Sequence, residues 1–240
     1  MNIAWYKVKT LIIKDLKNLI RNLNVSFMLL LPIGFALLYK NIMPSTEAFN
    51  PSVFVFELCI LLNVGLIPIS VVAMSIAEEK EKHTLRTLIL SNVSASEFLI
   101  DKVFVGYLLF IIDSILIFFI CGMEITSLPW YFIVFSISAI SALLFGAIVG
   151  LLSKDQMTTG YYSTPVMLLF MAPIFGMMNE TLDKVTNILP TKSMLQLFTV
   201  KNFQDLLTQD SLFSLGVILV WIILSIIIFR IIYKKNRFDN

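Results

Sequence analysis

Residues 78–102 read EEKEKHTLRTLILSNVSASEFLIDK, a charged interruption in a chain otherwise rich in Leu, Ile and Phe. Glu78, Glu79 and Glu81 come early, where negative charge suits a helix N-terminus, and Leu85, Leu88 and Ile89 follow on one side of that helix. Ser94 and Glu97 then stand three residues apart just ahead of Phe98, Leu99 and Ile100, the spacing of a capping box that opens a new helix. The stretch therefore predicts a short amphipathic helix, a tight turn at Ser91, Asn92 and Val93, and a second helix. A solvated loop joining two apolar segments is the competing reading, and periodicity alone leaves both open.

The flanking composition says what is being interrupted. The 240 residues are 58% hydrophobic and only 14% charged, and the mean hydropathy is +0.88, far outside the range of soluble domains. A spanning helix needs roughly 20 mainly apolar residues to cross about 30 Å of hydrocarbon. Runs of that kind predict six spans near 25–43, 53–77, 103–121, 129–152, 159–178 and 212–233. The runs are continuous rather than alternating, which favours helices over a barrel. No cleavable signal peptide is expected, because the first apolar run follows a charged segment and is long enough to span. Cys59 and Cys121 show neither disulfide nor metal spacing and read as buried thiols.

Lys and Arg are retained on the cytoplasmic side of a membrane during insertion. With six spans, fourteen of the eighteen basic residues fall on one face, and Lys40, Lys184, Lys192 and Lys201 on the other. Both termini and residues 78–102 are thus expected in the cytosol of a multi-pass cell-membrane protein. Within 1–24, Trp5, Val8, Ile12, Leu16, Leu19 and Leu23 recur at steps of three and four, the pattern of an interfacial helix lying on lipid or packing on the neighbouring cytosolic segment. The outer segment 179–211 carries Pro190 and apolar residues at Met194, Leu195, Leu197, Phe198, Leu206 and Leu207. It predicts two short helices, divided near Asn202, lying at the outer interface or dipping between spans. The expected fold is all-α and integral to the membrane, one transmembrane domain over 1–240.

Glu79, Lys80 and Glu81, then Thr84 and Leu85, then Leu88, then Ser91, Asn92, Val93 and Ser94, and finally Lys102 resemble the cytosolic link between the second and third spans in permease subunits of type-2 ABC transporters. Asn92 stands where that family usually has Pro, and His83 where Gly is common. The resemblance extends to a leading amphipathic helix, six spans and the Ile188–Leu189–Pro190–Thr191 start of an outer segment. It implies a coupling helix that docks a separate ATPase through Glu79, Glu81, Lys82, Thr84, Leu85, Leu88, Ser91, Val93 and Ser94. It also implies two ATPase subunits carrying ATP and Mg, a second permease, identical or homologous, and export as the direction. Consistent with this, the chain has no GxxxxGK[ST] loop, and none of its nine glycines precedes a lysine. It is expected to bind no cofactor, metal or nucleic acid and to catalyse nothing itself.

A translocation path is expected where polar groups are tolerated at membrane depth. Glu57 and Asn63 in the second span and Tyr161, Tyr162 and Thr164 in the fifth are the candidates, because the resemblance implies that those two spans line the route. Met167 and Met171 add adaptable apolar surface. Asp113, mid-way along the third span, reads better as a group that holds neighbouring helices together. Sparse charge along this route suits an amphipathic or apolar cargo such as a peptide, drug or lipid. An intramembrane protease is excluded because His83 is the sole histidine. A self-contained secondary transporter or channel is the rival, although the two halves show no repeat and buried acids are few.

Overall fold

The computed structural model describes residues 5–20, 22–43, 51–84, 93–177, 179–200 and 203–238, and every regular element among them is helical. Helix α1 (Trp5–Ile20) leads into α2 (Leu23–Ile42), whose N-cap Asn22 accepts a hydrogen bond from the Asn24 amide at 3.0 Å. Helix α3 (Pro51–Leu66) passes through a π-helical turn, Ile67–Val71, into α4 (Val72–Glu81) without leaving the helical path. Pro68 cannot donate its nitrogen to the helical ladder, and the wider turn absorbs that loss.

Helix α5 (Ala95–Cys121) opens on the capping box that the sequence predicts. The Ser94 hydroxyl accepts from the Glu97 amide at 3.2 Å, and the Glu97 carboxylate accepts from the Ser94 amide at 2.8 Å. It ends at Gly122, whose φ of 72° is the left-handed conformation that closes a helix. Helix α6 (Leu128–Leu152) is followed by a three-residue turn and α7 (Gln156–Met171). Short pieces then follow: α8 (Pro173–Gly176), α9 (Glu180–Thr186), α10 (Pro190–Phe198) and α11 (Phe203–Leu206), before the long α12 (Gln209–Phe238).

Five helical stretches among the described residues are long and apolar enough to cross a membrane: Leu23–Ile42, Pro51–Glu81, Glu97–Cys121, Ile125–Leu152 and Gln209–Lys234. The sequence predicts six. The difference lies at 159–178, where α7 stops at Met171 and Pro173 starts a new short helix. Sixteen residues of α7 reach only about 24 Å at 1.5 Å per residue.

The bundle is layered around two of these helices. Of the most apolar 18 residues of Pro51–Glu81, 89% are buried within the chain, and of those of Ile125–Leu152 67%, against 17% for both Leu23–Ile42 and Gln209–Lys234. Helix α6 packs on α4, α5, α10, α12 and the π turn. Its contact with the second span is backbone on backbone: a Cβ at Gly146 would lie 2.5 Å from the Pro68 carbonyl oxygen, and one at Gly150 2.9 Å from that of Ala73. Glycines four apart allow two helices this approach, the usual device where lipid offers no hydrophobic drive to association.

At one end an aromatic cluster closes the bundle. Phe198 of α10 stacks on Tyr131 at 4.7 Å between ring centres and also packs on Phe56 and Phe135. The Trp130 indole donates to the Leu197 carbonyl at 2.8 Å, and Trp221 donates to that of Ile188 at 2.7 Å. Helix α10 is consequently buried along most of its length rather than lying on the surface. Among its described residues the segment 179–211 has three short helices where two were expected, and the division expected at Asn202 lies outside the described residues.

Candidate functional site

The opposite end of the bundle carries most of the basic residues and the segment that interrupts the apolar pattern. Leu85, Leu88 and Ser91 lie outside the described residues. The residues that bracket them, Thr84 on one side and Val93 and Ser94 on the other, are described, and so is what anchors each side.

The anchor is a buried ion cluster. Lys102, with its side chain 1% exposed, pairs with Asp15 of α1 and, at 3.1 Å, with Glu79 of α4. Lys14 pairs with the same Glu79 oxygen and stands 3.4 Å from Asp15. The Ser75 hydroxyl donates to Asp15 at 3.2 Å, and the Thr84 hydroxyl donates to the Glu79 carboxylate. Burial opposes the charge on Lys14, but its hydrogen bond to Glu79 and the charges of Asp15 and Glu79 outweigh that and hold its pKa above the ordinary lysine value. Asp101, fully buried beside Lys102 at 3.8 Å, completes the group. A cavity of about 120 Å³ opens beside the cluster, lined by Lys14, Asn18, Ser75, Glu79, Thr84 and Lys102.

Local structure explains how the chain delivers these groups. Val8, Leu11, Asp15 and Leu19 form the buried face of α1, which lies along α5. Among the residues of the expected apolar stripe, Trp5 and Leu23 are exposed, at 69% and 84%. The face that α1 presents to the protein is thus turned by about one residue, so that an aspartate enters it. Helix α4 ends at Glu81, and His83 follows with φ 54°, the left-handed conformation that glycine adopts most easily. The family resemblance places a glycine at this position, and the geometry gives the reason.

The consecutive residues Glu79, Lys80 and Glu81 reach three different neighbours. Glu79 faces α1 and α5, as above. Lys80 donates to the carbonyls of Leu151, at 2.7 Å, and Ser153, at the C-terminus of α6. Glu81 accepts from the Gln156 amide at 3.1 Å, at the N-terminus of α7. Each charge has the sign that its helix end attracts. Glu79, predicted on a charged docking rim, is instead turned inward at 5% exposure, whereas Glu81, Lys82 and Thr84 are on the surface.

At membrane depth the structure divides the path candidates. Asn63 is fully buried between α3 and α5. With its amide nitrogen toward Asp113 it donates to that carboxylate at 3.3 Å and accepts from the Ser114 hydroxyl at 2.9 Å. Asn63, expected along a route, is here enclosed by its own chain. Met167 meets the Ser70 hydroxyl at 3.3 Å and Met171 packs over Gly65, so both also point toward the second span. Glu57 is half-buried. Tyr161, 80% exposed, Tyr162 and Thr164 sit on the outer face of α7 with Met157 and Leu168.

Asp113, 2% exposed, is a partner of Asn63 and needs no cargo to explain it. Hydrogen bonds between membrane helices average about 0.6 kcal/mol. Asp113→Asn is accordingly expected to leave yield, and melting temperature in detergent, near the wild type. Changed cargo stimulation at unchanged yield would instead place Asp113 on the route.

Among curated proteins none matches the chain. The sequence profile of a family described as ABC-2 family transporter protein nevertheless matches residues 9–232. That match spans nearly the whole molecule, and the chain belongs to the membrane-spanning permeases of this family.

Proposed function

We propose that this permease is the membrane half of an ATP-driven exporter and receives the mechanical input of a separate ATPase through residues 82–94. The observation that supports this reading most directly is the anchoring beneath that segment. Where it leaves α4 it is tied by buried ion pairs to α1 and α5, and where it enters α5 it is held by a capping box. A plain connecting loop has no need of such a foundation, whereas a surface that receives force does. In the complete assembly two ATPase subunits bind ATP and Mg, and a second permease, identical or homologous, faces this one. Both termini lie in the cytosol, because insertion holds the basic end of the bundle there. The sixth crossing is made by α7 and α8 together, bent at Pro173.

The exposed face of α7, with Tyr161, Tyr162 and Thr164, then faces the partner permease across the route. Its few hydroxyls among apolar groups suit an amphipathic or apolar cargo, moved outward. The rival, a transporter that works alone, predicts that no ATPase associates. Leu88→Asp places a charge on the apolar side of the docking helix and is expected to lower co-purification of the ATPase subunit about tenfold or more, as loss of an interface anchor does. The check is pull-down from membranes containing both subunits. Unchanged capture and unchanged transport would sink the reading.

A further inference from the structure

The triplet Glu79–Lys80–Glu81 accounts for an otherwise unexplained feature of this end of the molecule. Helices α6 and α7 are joined by only Ser153, Lys154 and Asp155, and this turn is internally rigid. The Thr158 amide donates to Asp155 at 2.8 Å, the Thr158 hydroxyl accepts from the amides of Lys154 and Asp155, and Ser153 is fully buried. So short a turn is poorly placed to receive a partner of its own. It is gripped instead from one side by α4. Lys80 neutralises the carbonyl end of α6, and Glu81 takes an amide at the start of α7. One residue earlier, Glu79 holds Lys14 and Lys102. Three consecutive side chains therefore bind four helices at their basic ends.

We infer that this triplet is a mechanical hub that joins α1 and the basic ends of α5, α6 and α7 into one body steered by residues 82–94. The inference rests on the proposed docking of an ATPase to that segment. Lys80 is the positioning residue on which it turns, because it is half-buried and makes two bonds, whereas the Glu81 contact is exposed and weaker. Under this assignment the fourth and fifth spans move with the second, without touching the ATPase themselves. Such transmission requires a contiguous physical link between the sites, and the triplet supplies one.

The test uses the complete permease–ATPase complex in nanodiscs, with spin labels at Lys17→Cys and Lys154→Cys in a Cys59→Ser, Cys121→Ser background. Lys17 and Lys154 are both exposed and both lie outside the docking segment. The expected result is one narrow distance distribution that stays the same with and without bound nucleotide. Lys80→Met should broaden or split it and lower cargo moved per ATP hydrolysed by about tenfold, the scale on which coupling residues act. ATPase capture should be unchanged, and Lys80→Arg should restore both readouts. A wild-type distance that shifts with nucleotide overturns the inference, as does a Lys80→Met complex that stays narrow and fully coupled. Failure of the wild type to capture any ATPase overturns the docking reading instead, so the two failures are distinguishable.

Discussion

Gly146→Leu is expected to abolish recovery of monodisperse protein from detergent extracts, and Gly150→Leu to do nearly the same. At Gly146 even a methyl group would meet the Pro68 oxygen at 2.5 Å, the Ile69 oxygen at 2.8 Å and the Ile69 Cα at 3.0 Å. These are backbone atoms, so no rotamer change relieves the clash. At Gly150 the corresponding atoms are the Ile76 Cβ at 2.7 Å and the Ala73 oxygen at 2.9 Å. Overpacking a core usually costs about 1–3 kcal/mol. Here a whole helix would have to retreat along two turns, and the helix it retreats from is the most enclosed in the molecule, so the cost lies at or above the top of that range. Gly34 and Gly216 serve as controls, since a Cβ at either meets nothing within 4 Å. Alanine there is expected to be neutral, or to stabilise by about 0.5–1 kcal/mol through lost chain entropy. Size-exclusion profiles of tagged variants separate the two groups, and a well-behaved Gly146→Leu protein would refute the backbone contact.

Lys102→Met should be the most damaging change at the basic end, by about 3–5 kcal/mol, because it leaves buried carboxylates without their cation. Lys102 is 2% exposed, and Asp15, Glu79 and Asp101 at 3%, 5% and 0% share its surroundings, leaving Lys14, among the described residues, to compensate. Removing a partner charge should recover part of the loss. The double variant Lys102→Met, Asp15→Asn is therefore expected to melt above Lys102→Met alone. The full set of single and double variants measures the coupling between the pair. Strictly additive melting shifts would mean that the two residues do not interact.

Much of the local structure was legible from residue order. The Ser94–Glu97 capping box and the helical character of the apolar runs both depend on groups within a few residues of one another, so spacing suffices to read them. The link after the second span was recognisable for the same reason. Its internal division of labour was not. Glu79 looked like a rim charge because its partners, Lys14 and Lys102, lie 65 and 23 residues away. The fifth span was predicted as one run from apolar composition. Its prolines, Pro165 and Pro173, mark where the ladder loses a donor, but both are equally able to kink a helix without ending it. Only the structure shows Pro165 inside α7 and Pro173 starting a new helix.

Which apolar faces meet protein was the least legible feature. In water, apolarity and burial go together; in a bilayer, lipid accepts an apolar side chain as readily as a neighbouring helix does. The most apolar 18 residues of the last span have the higher mean hydropathy, 3.0 against 2.3 for the second, yet 17% of them are buried against 89%. By itself the sequence determined that this is a helical membrane protein with a charged, capped link between its second and third spans, since those properties rest on composition and short-range spacing. Only the tertiary structure decided that Asn63 pairs with Asp113, that Gly146 lies on the Pro68 carbonyl and that Lys80 closes the end of α6. Each is a contact between segments that local chemistry leaves interchangeable until the helices pack.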